Sequence, residues 1–158
     1  MDHFTGSTVD WETLVTQEEN RLYRTALAIL GDPGEAQDAV QEAFLTFLEK
    51  APPDLELPGA WLMRVLVNSC KSRLRLRWRR PTVPLWDELP APSPQEREEL
   101  EELYALPPQD RAVIHLHYYE GYSTQEIAQL LHCRPGTVRS RLSRARERLR
   151  RLLGGDFQ

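Results

Sequence analysis

The chain has 158 residues, 28% of them charged, and a formal net charge of −4 at pH 7. This length suits one domain or two very small ones, and 41% hydrophobic residues suffice for packed cores. No apolar run approaches the roughly 18 residues of a membrane span, and the N-terminus lacks a signal-peptide pattern, so a cytoplasmic location is expected. The two cysteines, Cys70 and Cys133, are too isolated to form a CxxC metal site.

Positive charge is concentrated in two segments of this acidic chain. Residues 61–80 hold seven basic residues and no acid, and residues 133–153 hold eight arginines and one acid. Together they contain 15 of the 20 basic residues. Local potential governs contact with nucleic acid more directly than net charge does. The pattern therefore predicts two separate nucleic-acid surfaces.

Helical patterns fill the first part of the chain. A helix is predicted from Glu18 to Leu30, because Gly31 is a typical residue after a helix end. A second helix is predicted to begin near Asp32-Pro33, since proline is tolerated in a first turn, and to end before Pro52. Its apolar residues share one face, and the opposite face carries Asp38, Gln41, Glu42 and Leu45.

A long third helix is predicted from about Ala60 to Arg79. One side carries Leu62, Val65, Leu66 and Ser69, and the opposite side carries a stripe of Arg64, Asn68, Lys71 and Arg75. Such a stripe is often no more than a solvated charged face. Here no acid is present to pair with it, and asparagine is a base-reading side chain. The stripe is therefore predicted to contact nucleic acid.

The segment after this helix is predicted to be a linker. Residues 81–102 hold seven acids, and the five prolines within residues 81–95 disfavour a continuous helix and favour an extended chain. The sequence thus predicts two helical modules, residues 10–80 and residues 103–153, joined by an acidic linker.

The second module carries a helix-turn-helix pattern. Residues 123–126, STQE, form a capping box that opens a short helix. A three-residue turn, residues 132–134, precedes Pro135 at the start of the last helix. Its buried stripe is predicted to be Val138, Leu142, Ala145, Leu149 and Leu152. Base reading is expected from the outward side chains Arg139, Ser140, Ser143 and Arg144, and phosphate contact from the flanking Arg141, Arg146 and Arg148.

The order and spacing of these segments resemble the extracytoplasmic-function sigma factors of the sigma-70 family. Residues 22–50, LYRTALAILGDPGEAQDAVQEAFLTFLEK, resemble region two of that family. Residues 58–80, PGAWLMRVLVNSCKSRLRLRWRR, resemble its promoter-melting helix, and residues 106–149 resemble region four. The resemblance implies an all-α fold of two small domains and a bacterial RNA polymerase sigma factor, with no enzyme activity, cofactor or metal.

The resemblance also implies partners and roles. Core RNA polymerase would be bound through the clamp of its largest subunit and its flap, the clamp contacting Asp38, Gln41 and Glu42. The minus-ten element would contact Asn68, Lys71 and their neighbours, with a flipped base held by the loop Pro52 to Gly59. The minus-thirty-five element would be read by Arg139, Ser140, Ser143 and Arg144. An anti-sigma factor is a further implied partner, and the linker would run through polymerase channels.

Linker length is consistent with two contacts on one duplex. About 22 residues span at most ~70 Å when extended. The two promoter elements lie about 25 base pairs, or roughly 85 Å, apart. Two domains of ~10–13 Å radius make up the difference.

Two other functions compete with this interpretation. A LuxR-like transcriptional regulator would explain residues 107–153 but would leave the basic helix 60–80 unexplained. A metal-dependent enzyme would need ligands from His115, His117, His132 and Cys133, yet the first two point about 200° apart on a helix. Base stacking is a possible role of Trp61, Trp78 and Trp86, with core packing favoured for Trp61.

Overall fold

Six helices make up the described part of the protein. The structure is a computed structural model and describes residues 10–79 and 106–152. The helices are α1 (Trp11–Leu30), α2 (Pro33–Lys50), α3 (Pro58–Arg79), α4 (Pro108–Ile114), α5 (Thr124–Leu131) and α6 (Pro135–Leu152). Within these two ranges there is no strand, and the all-α class is confirmed. The predicted linker, residues 81–102, lies outside the described residues. None of the described helices is long and apolar enough to cross a membrane.

Helix α1 begins seven residues earlier than the predicted Glu18. The Asp10 side chain caps it by accepting a hydrogen bond from the Thr13 backbone N–H at 2.7 Å. The added first turns bury Leu14 and bring Trp11 edge-on to Phe44, with ring centroids 5.6 Å apart. The predicted end at Gly31 is confirmed, because its backbone is left-handed (φ 74°) and its N–H donates to Leu27 O.

Helices α2 and α3 pack against α1 and against each other. The Asp32 carboxylate caps α2 by accepting from the Gly34 backbone N–H at 2.9 Å. The buried face of α3 differs from the predicted one, since Val65 is half-buried and Ser69 bonds Glu42 at the edge of the interface. Because α3 contacts three helices, α1, α2 and α5, its buried arc is wider and comprises Leu62, Met63, Leu66, Val67, Cys70 and Leu74.

Helix α4 continues into a π-helical turn, His115–Tyr119. The hydrogen bond that defines this turn spans five residues, from the Glu120 backbone N–H to His115 O at 3.1 Å. This turn places residues five apart on one face, so His115 Nε2 lies 3.0 Å from Glu120 Oε2. No sequence pattern predicted it.

The predicted helix-turn-helix is present in α5 and α6. The Ser123 hydroxyl accepts from the Glu126 backbone N–H while the Glu126 carboxylate accepts from Ser123 N–H, which completes the capping box. Helix α6 begins at Pro135, as predicted. Its stripe is buried at Val138, Leu142, Ala145 and Leu149, and the side chain of Leu152 lies outside the described residues.

One continuous apolar core runs through both halves of the described chain. We call α1–α3 the N-terminal group and α4–α6 the C-terminal group. Helix α4 packs on α1, and α5 packs on α3. The helix-turn-helix is therefore held against the N-terminal group by buried surface.

Candidate nucleic-acid interface

The outer face of α6 carries all four side chains predicted to read bases. Arg139, Ser140, Ser143 and Arg144 are exposed, and the buried stripe holds the helix from the opposite side. The Arg144 guanidinium lies 3.6 Å from the Asp110 carboxylate at the start of α4. Arg146 donates to the Tyr118 hydroxyl at 3.0 Å. The first contact joins α6 to α4, and the second joins α6 to the π-helical turn that follows α4.

The turn between α5 and α6 sets the direction of this face. His132 adopts a left-handed backbone (φ 56°), which is uncommon for a residue with a side chain. The Cys133 backbone N–H donates to Ala128 O at 3.0 Å and closes the end of α5. The chain then reverses within three residues, and Val138 N–H donates to Arg134 O at 3.2 Å in the first turn of α6.

The predicted stripe on α3 is present, but its members lie in different surroundings. Arg64, Asn68 and Arg75 are exposed, whereas Lys71 is half-buried. The Lys71 ammonium donates to Leu131 O at 2.7 Å, at the end of α5. Burial, and then the neighbouring Arg75 and Arg141, lower the pKa of Lys71.

The turn residue His132 also contacts this stripe. Its Nε2 lies 3.2 Å from the Asn68 amide oxygen. A hydrogen bond there requires the ring to carry its proton on Nε2, because the amide oxygen accepts. Two of the four predicted side chains on α3, Asn68 and Lys71, are therefore bound by the helix-turn-helix of the same chain.

The three residues predicted to contact polymerase are all exposed on α2, but Glu42 has partners on α3. Asp38 and Gln41 are exposed on its outer face, as is the apolar Leu45. Glu42 instead bridges to α3, accepting from Arg73 Nη2 at 2.9 Å and from the Ser69 hydroxyl at 2.8 Å. These two hydrogen bonds, the arginine's first, lower the pKa of Glu42.

The loop predicted to hold a flipped base, Pro52 to Gly59, contacts α1 through its last residue. Arg21 Nη2 donates to Gly59 O at 3.0 Å. A Cβ on Gly59 would lie 2.7 Å from a Glu18 carboxylate oxygen, so a larger residue there would displace the end of the Glu18 side chain. Leu57 is exposed in the same loop.

Among the tryptophans, Trp61 packs edge-on against Phe47 at 5.4 Å, which favours the core role expected for it. The side chain of Trp78, and all of Trp86, lie outside the described residues.

The histidines and the cysteine considered as metal ligands are dispersed. His115 faces Thr25 and Glu120, and His117 Nδ1 lies 3.0 Å from Tyr122 O. His132 and Cys133 stay in the turn. Across the two described ranges, no three His, Cys, Asp or Glu side chains are placed to share a metal ion.

Sequence reasoning missed the residue that ties the two groups together, Arg111. Its guanidinium is buried and donates to Ala28 O and Ile29 O of α1, at 2.7 and 2.8 Å, and to Leu106 O at 2.7 Å. A signal was available, because Arg111 shares one helical face with the apolar Ile114 and with His115. An arginine on a buried face requires acceptors for its five N–H groups.

A second cluster across the groups surrounds Glu120. Its carboxylate is 3% exposed and lies 3.9 Å from Arg21 and 3.8 Å from Arg24. Arg21 also donates to the Tyr122 hydroxyl at 2.9 Å. Burial raises the pKa of Glu120, and the two arginines oppose that shift.

Comparison with known protein families gives two matches along the chain. A family model described as Sigma-70 region 2 matches residues 14–80, and one described as Sigma-70, region 4 matches residues 97–149. The chain is 33% identical to the ECF RNA polymerase sigma factor SigM of Mycobacterium tuberculosis, over 96% of this chain and 81% of the relative. It is 32% identical to the RNA polymerase sigma-E factor of Streptomyces avermitilis, over 92% and 86%.

Two solved structures share the arrangement of the helices. One is the sigma factor RpoE in complex with the anti-sigma factor NepR from Bartonella quintana, with a TM-score of 0.71, 25% identity and coverage of 92% of this chain and 98% of that one. The other is CnrH in complex with the cytosolic domain of CnrY, with a TM-score of 0.65, 27% identity and coverage of 98% and 94%.

Proposed function

The chain belongs to the extracytoplasmic-function sigma factors of the sigma-70 family, and from that premise we propose which of its surfaces bind core RNA polymerase and which bind promoter DNA. It is a bacterial RNA polymerase sigma factor, which directs polymerase to promoters. The LuxR-like alternative is not favoured, because it leaves the region-two match over residues 14–80 without a role.

Helix α6 is proposed to read the minus-thirty-five element. The observation that carries this proposal is that α6 buries its apolar stripe and exposes the opposite face. That exposed face carries Arg139, Ser140, Ser143 and Arg144. Arginine pairs with guanine O6 and N7, and serine bonds to several bases. Their position near the start of the second helix of the motif is where base edges are read.

Helix α3 is proposed to engage the minus-ten element through Arg64, Asn68, Lys71 and Arg75. Three of the four are exposed, and they follow one face of the helix. Such a face suits single-stranded DNA. The cations neutralise the phosphate backbone of the DNA, and the Asn68 amide can form hydrogen bonds with the edges of unpaired bases.

Helix α2 is proposed to bind core polymerase through Asp38, Gln41 and Glu42. The exposed Leu45, one turn beyond these polar groups on the same face of α2, supports the proposal, since exposed apolar side chains beside polar groups are typical of interfaces. Glu42 also holds α2 to α3 through Arg73, so its role is shared between polymerase binding and packing.

Three further properties are proposed with this function. The protein acts in the cytoplasm, where polymerase is, and by binding rather than catalysis. An anti-sigma factor is a proposed partner, supported by the two similar sigma factors solved with such factors. Residues 10–80 and 103–153 are proposed as its domains and residues 81–102 as the linker.

In vitro transcription with core polymerase on a genomic fragment library tests the proposal. The wild-type protein should produce transcripts from a discrete set of start sites. An Arg139→Ala/Arg144→Ala variant should lose most of them, whereas Arg150→Ala, which removes an exposed arginine paired with Glu147 farther along α6, should keep them. A LuxR-like regulator would yield no transcripts with core polymerase alone.

A further inference from the structure

The loop Pro52 to Gly59 lies at one end of the face of α3 that is proposed to engage the minus-ten element. Gly59 is the last residue of the loop and the second residue of α3, and Arg64, the first cation of the stripe, follows it by five positions. Five residues of helix rise about 7.5 Å, which is about the length of two stacked nucleotides. A single strand that follows the stripe therefore reaches the loop with its next bases.

The exposed side chains of this loop suit an unpaired base. Asp54, Glu56 and Leu57 are exposed, and Leu57 is 68% exposed although it is apolar. A carboxylate accepts hydrogen bonds from the amino groups of bases, and an apolar side chain contacts a base without preference for phosphate. The two carboxylates repel the DNA backbone, so the loop contributes to base selection rather than to phosphate contact. Such selection requires the loop to be held in one position.

Arg21 of α1 fixes the end of the loop. Its Nη2 donates to Gly59 O at 3.0 Å, and its Nε donates to Glu18 Oε1 at 2.8 Å. Its Nη1 donates to the Tyr122 hydroxyl at 2.9 Å, so all three guanidinium nitrogens are engaged. A planar guanidinium held at three nitrogens cannot rotate without losing a hydrogen bond. The Gly59 carbonyl is therefore held at a fixed point beside α1.

The Glu18 carboxylate occupies the space beside the Gly59 Cα. A Cβ on Gly59 would lie 2.7 and 3.1 Å from the two carboxylate oxygens. The Glu18 side chain is 17% exposed and that of Arg21 is 24% exposed, so salt screens this ion pair less than a pair on the open surface. The contacts among Arg21, Glu18 and Gly59 all lie within the N-terminal group. They therefore do not depend on where the C-terminal group lies.

The rest of the loop is fixed through the first turn of α3. Leu55 packs against the apolar core, and Leu57 O accepts a hydrogen bond from the Trp61 backbone N–H at 3.2 Å. The position of Leu57 thus depends on the first turn of α3, and Arg21 holds that turn to α1. A shift of this turn would move the exposed side chains of the loop with it.

From this geometry, and on the basis of the proposed function, we infer that Arg21 and Glu18 are positioning residues for base selection at the minus-ten element. Neither side chain contacts DNA. Both act through Gly59, whose position sets that of Leu57 and of the neighbouring carboxylates. Without the Arg21 hydrogen bond the loop shifts, so α3 keeps its contacts with the strand while discrimination at the adjacent bases falls.

The test uses the full-length protein with core polymerase and a promoter library randomised across the minus-ten element. Arg21→Met keeps a long side chain and removes every donor, whereas Arg21→Lys keeps the charge and loses the planar fork. Gly59→Ala adds the Cβ that displaces the Glu18 carboxylate, and it serves if the Arg21 variants do not fold. Tyr122→Phe is the matched control, because it removes a partner of Arg21 that lies outside the loop.

Relative transcript yields for the four bases at each position give the base preference. At one or two adjacent positions at the loop end of the element, Arg21→Met and Gly59→Ala should lower this preference about fivefold or more. Arg21→Lys should lower it as well, which separates the loss of geometry from a loss of charge. Tyr122→Phe should keep the wild-type profile, and preference at the minus-thirty-five element should be unchanged in every variant.

Thermal melting separates positioning from a structural role. Gly59→Ala should melt no lower than the wild type, because alanine favours a helix more than glycine does. An altered base preference without a loss of stability is therefore expected of this variant. An even loss of transcription at every promoter position in the Arg21 variants, or an unchanged minus-ten profile in both Arg21→Met and Gly59→Ala, would overturn the inference.

The wild-type protein separates this inference from the proposed function. Transcripts from the wild type, together with an unchanged profile in the variants, would remove the positioning role alone. If the wild type gave no transcripts with core polymerase, the proposed function would fail, and the inference that rests on it would fail too.

Discussion

At the scale of single residues, the arginines of α6 differ in their position on the helix and in their contacts. Arg144 is exposed at the centre of the outer face, 3.6 Å from Asp110, whereas Arg148 is exposed farther along the helix. An arginine aimed at base edges contributes to sequence preference, and one at the flank contributes to phosphate contact. The two should therefore respond differently to removal.

Arg144→Ala should relax preference at one or two upstream promoter positions, by about 1–3 kcal/mol. Arg148→Ala should weaken binding evenly across sequences and lower the salt slope by about one unit. Holoenzyme binding to a library of single-base promoter variants, measured at several salt concentrations, separates the two effects. Identical base-preference profiles for the two variants would contradict the assigned faces.

A second residue with a defined role is His115. Burial, and then the positive charge of Arg24, lower its pKa to about 4. The Thr25 hydroxyl donates to Arg21 O at 2.9 Å, so its oxygen accepts from the histidine. The neutral ring therefore carries its proton on Nε2, shared between Thr25 and Glu120.

This histidine should make stability depend on pH. The unfolded chain takes up the proton near pH 6.5 and the folded one near pH 4, so the stability that is complete above pH 6.5 is lost as pH falls toward 4. Urea midpoints across that range should fall less steeply for His115→Gln, whose amide also donates. Glu120, whose pKa burial raises, acts in the opposite direction, so the comparison of variants isolates the histidine. Parallel pH profiles would exclude this role for His115.

At the scale of elements, periodicity predicted α2, α5 and α6 well. The faces of α2, the capping box at Ser123 and the stripe of α6 follow from local rules, because each helix there buries one continuous side. The start of α1 was missed, because Trp11 packs on Phe44 of α2 and Leu14 is buried, and the local pattern does not reveal such tertiary packing. Two features could not be predicted from periodicity. The π-helical turn departs from the 3.6-residue period, and the Arg111 contact joins segments about 80 residues apart.

The outer face of α2 gives a prediction about polymerase. A Gln41→Ala/Glu42→Ala variant should bind core polymerase about tenfold more weakly or worse, a loss typical of interface hot spots. Helicity by circular dichroism should be unchanged, because the changed side chains lie outside the apolar stripe.

Arg73→Ala is the matched control for that variant, because it breaks the same Glu42–Arg73 pair and leaves Glu42 available to polymerase. Its core affinity should stay near that of the wild type. Equal losses for the control and the double variant would assign the effect to the contact between α2 and α3.

At the scale of the whole molecule, the distribution of charge explains how an acidic protein can bind DNA. The basic stripe of α3 and the arginines of α6 are separate in sequence, and in the described arrangement they meet around one cavity. Glu18 of α1 and Glu120, which follows the π-helical turn, pair with Arg21 of α1 rather than with these basic surfaces. The net charge of −4 therefore coexists with two strongly basic surfaces.

The continuous core has a calorimetric consequence. Because buried residues of both groups form one cluster, the free protein should melt as a single cooperative unit, with equal van't Hoff and calorimetric enthalpies. Arg111→Met should split that melting peak into two, since each group would then lose its order independently. A heat-capacity trace of the wild type with two resolved peaks would contradict this. One cooperative unit also means that a destabilising substitution in either group shortens the lifetime of the folded state of the other.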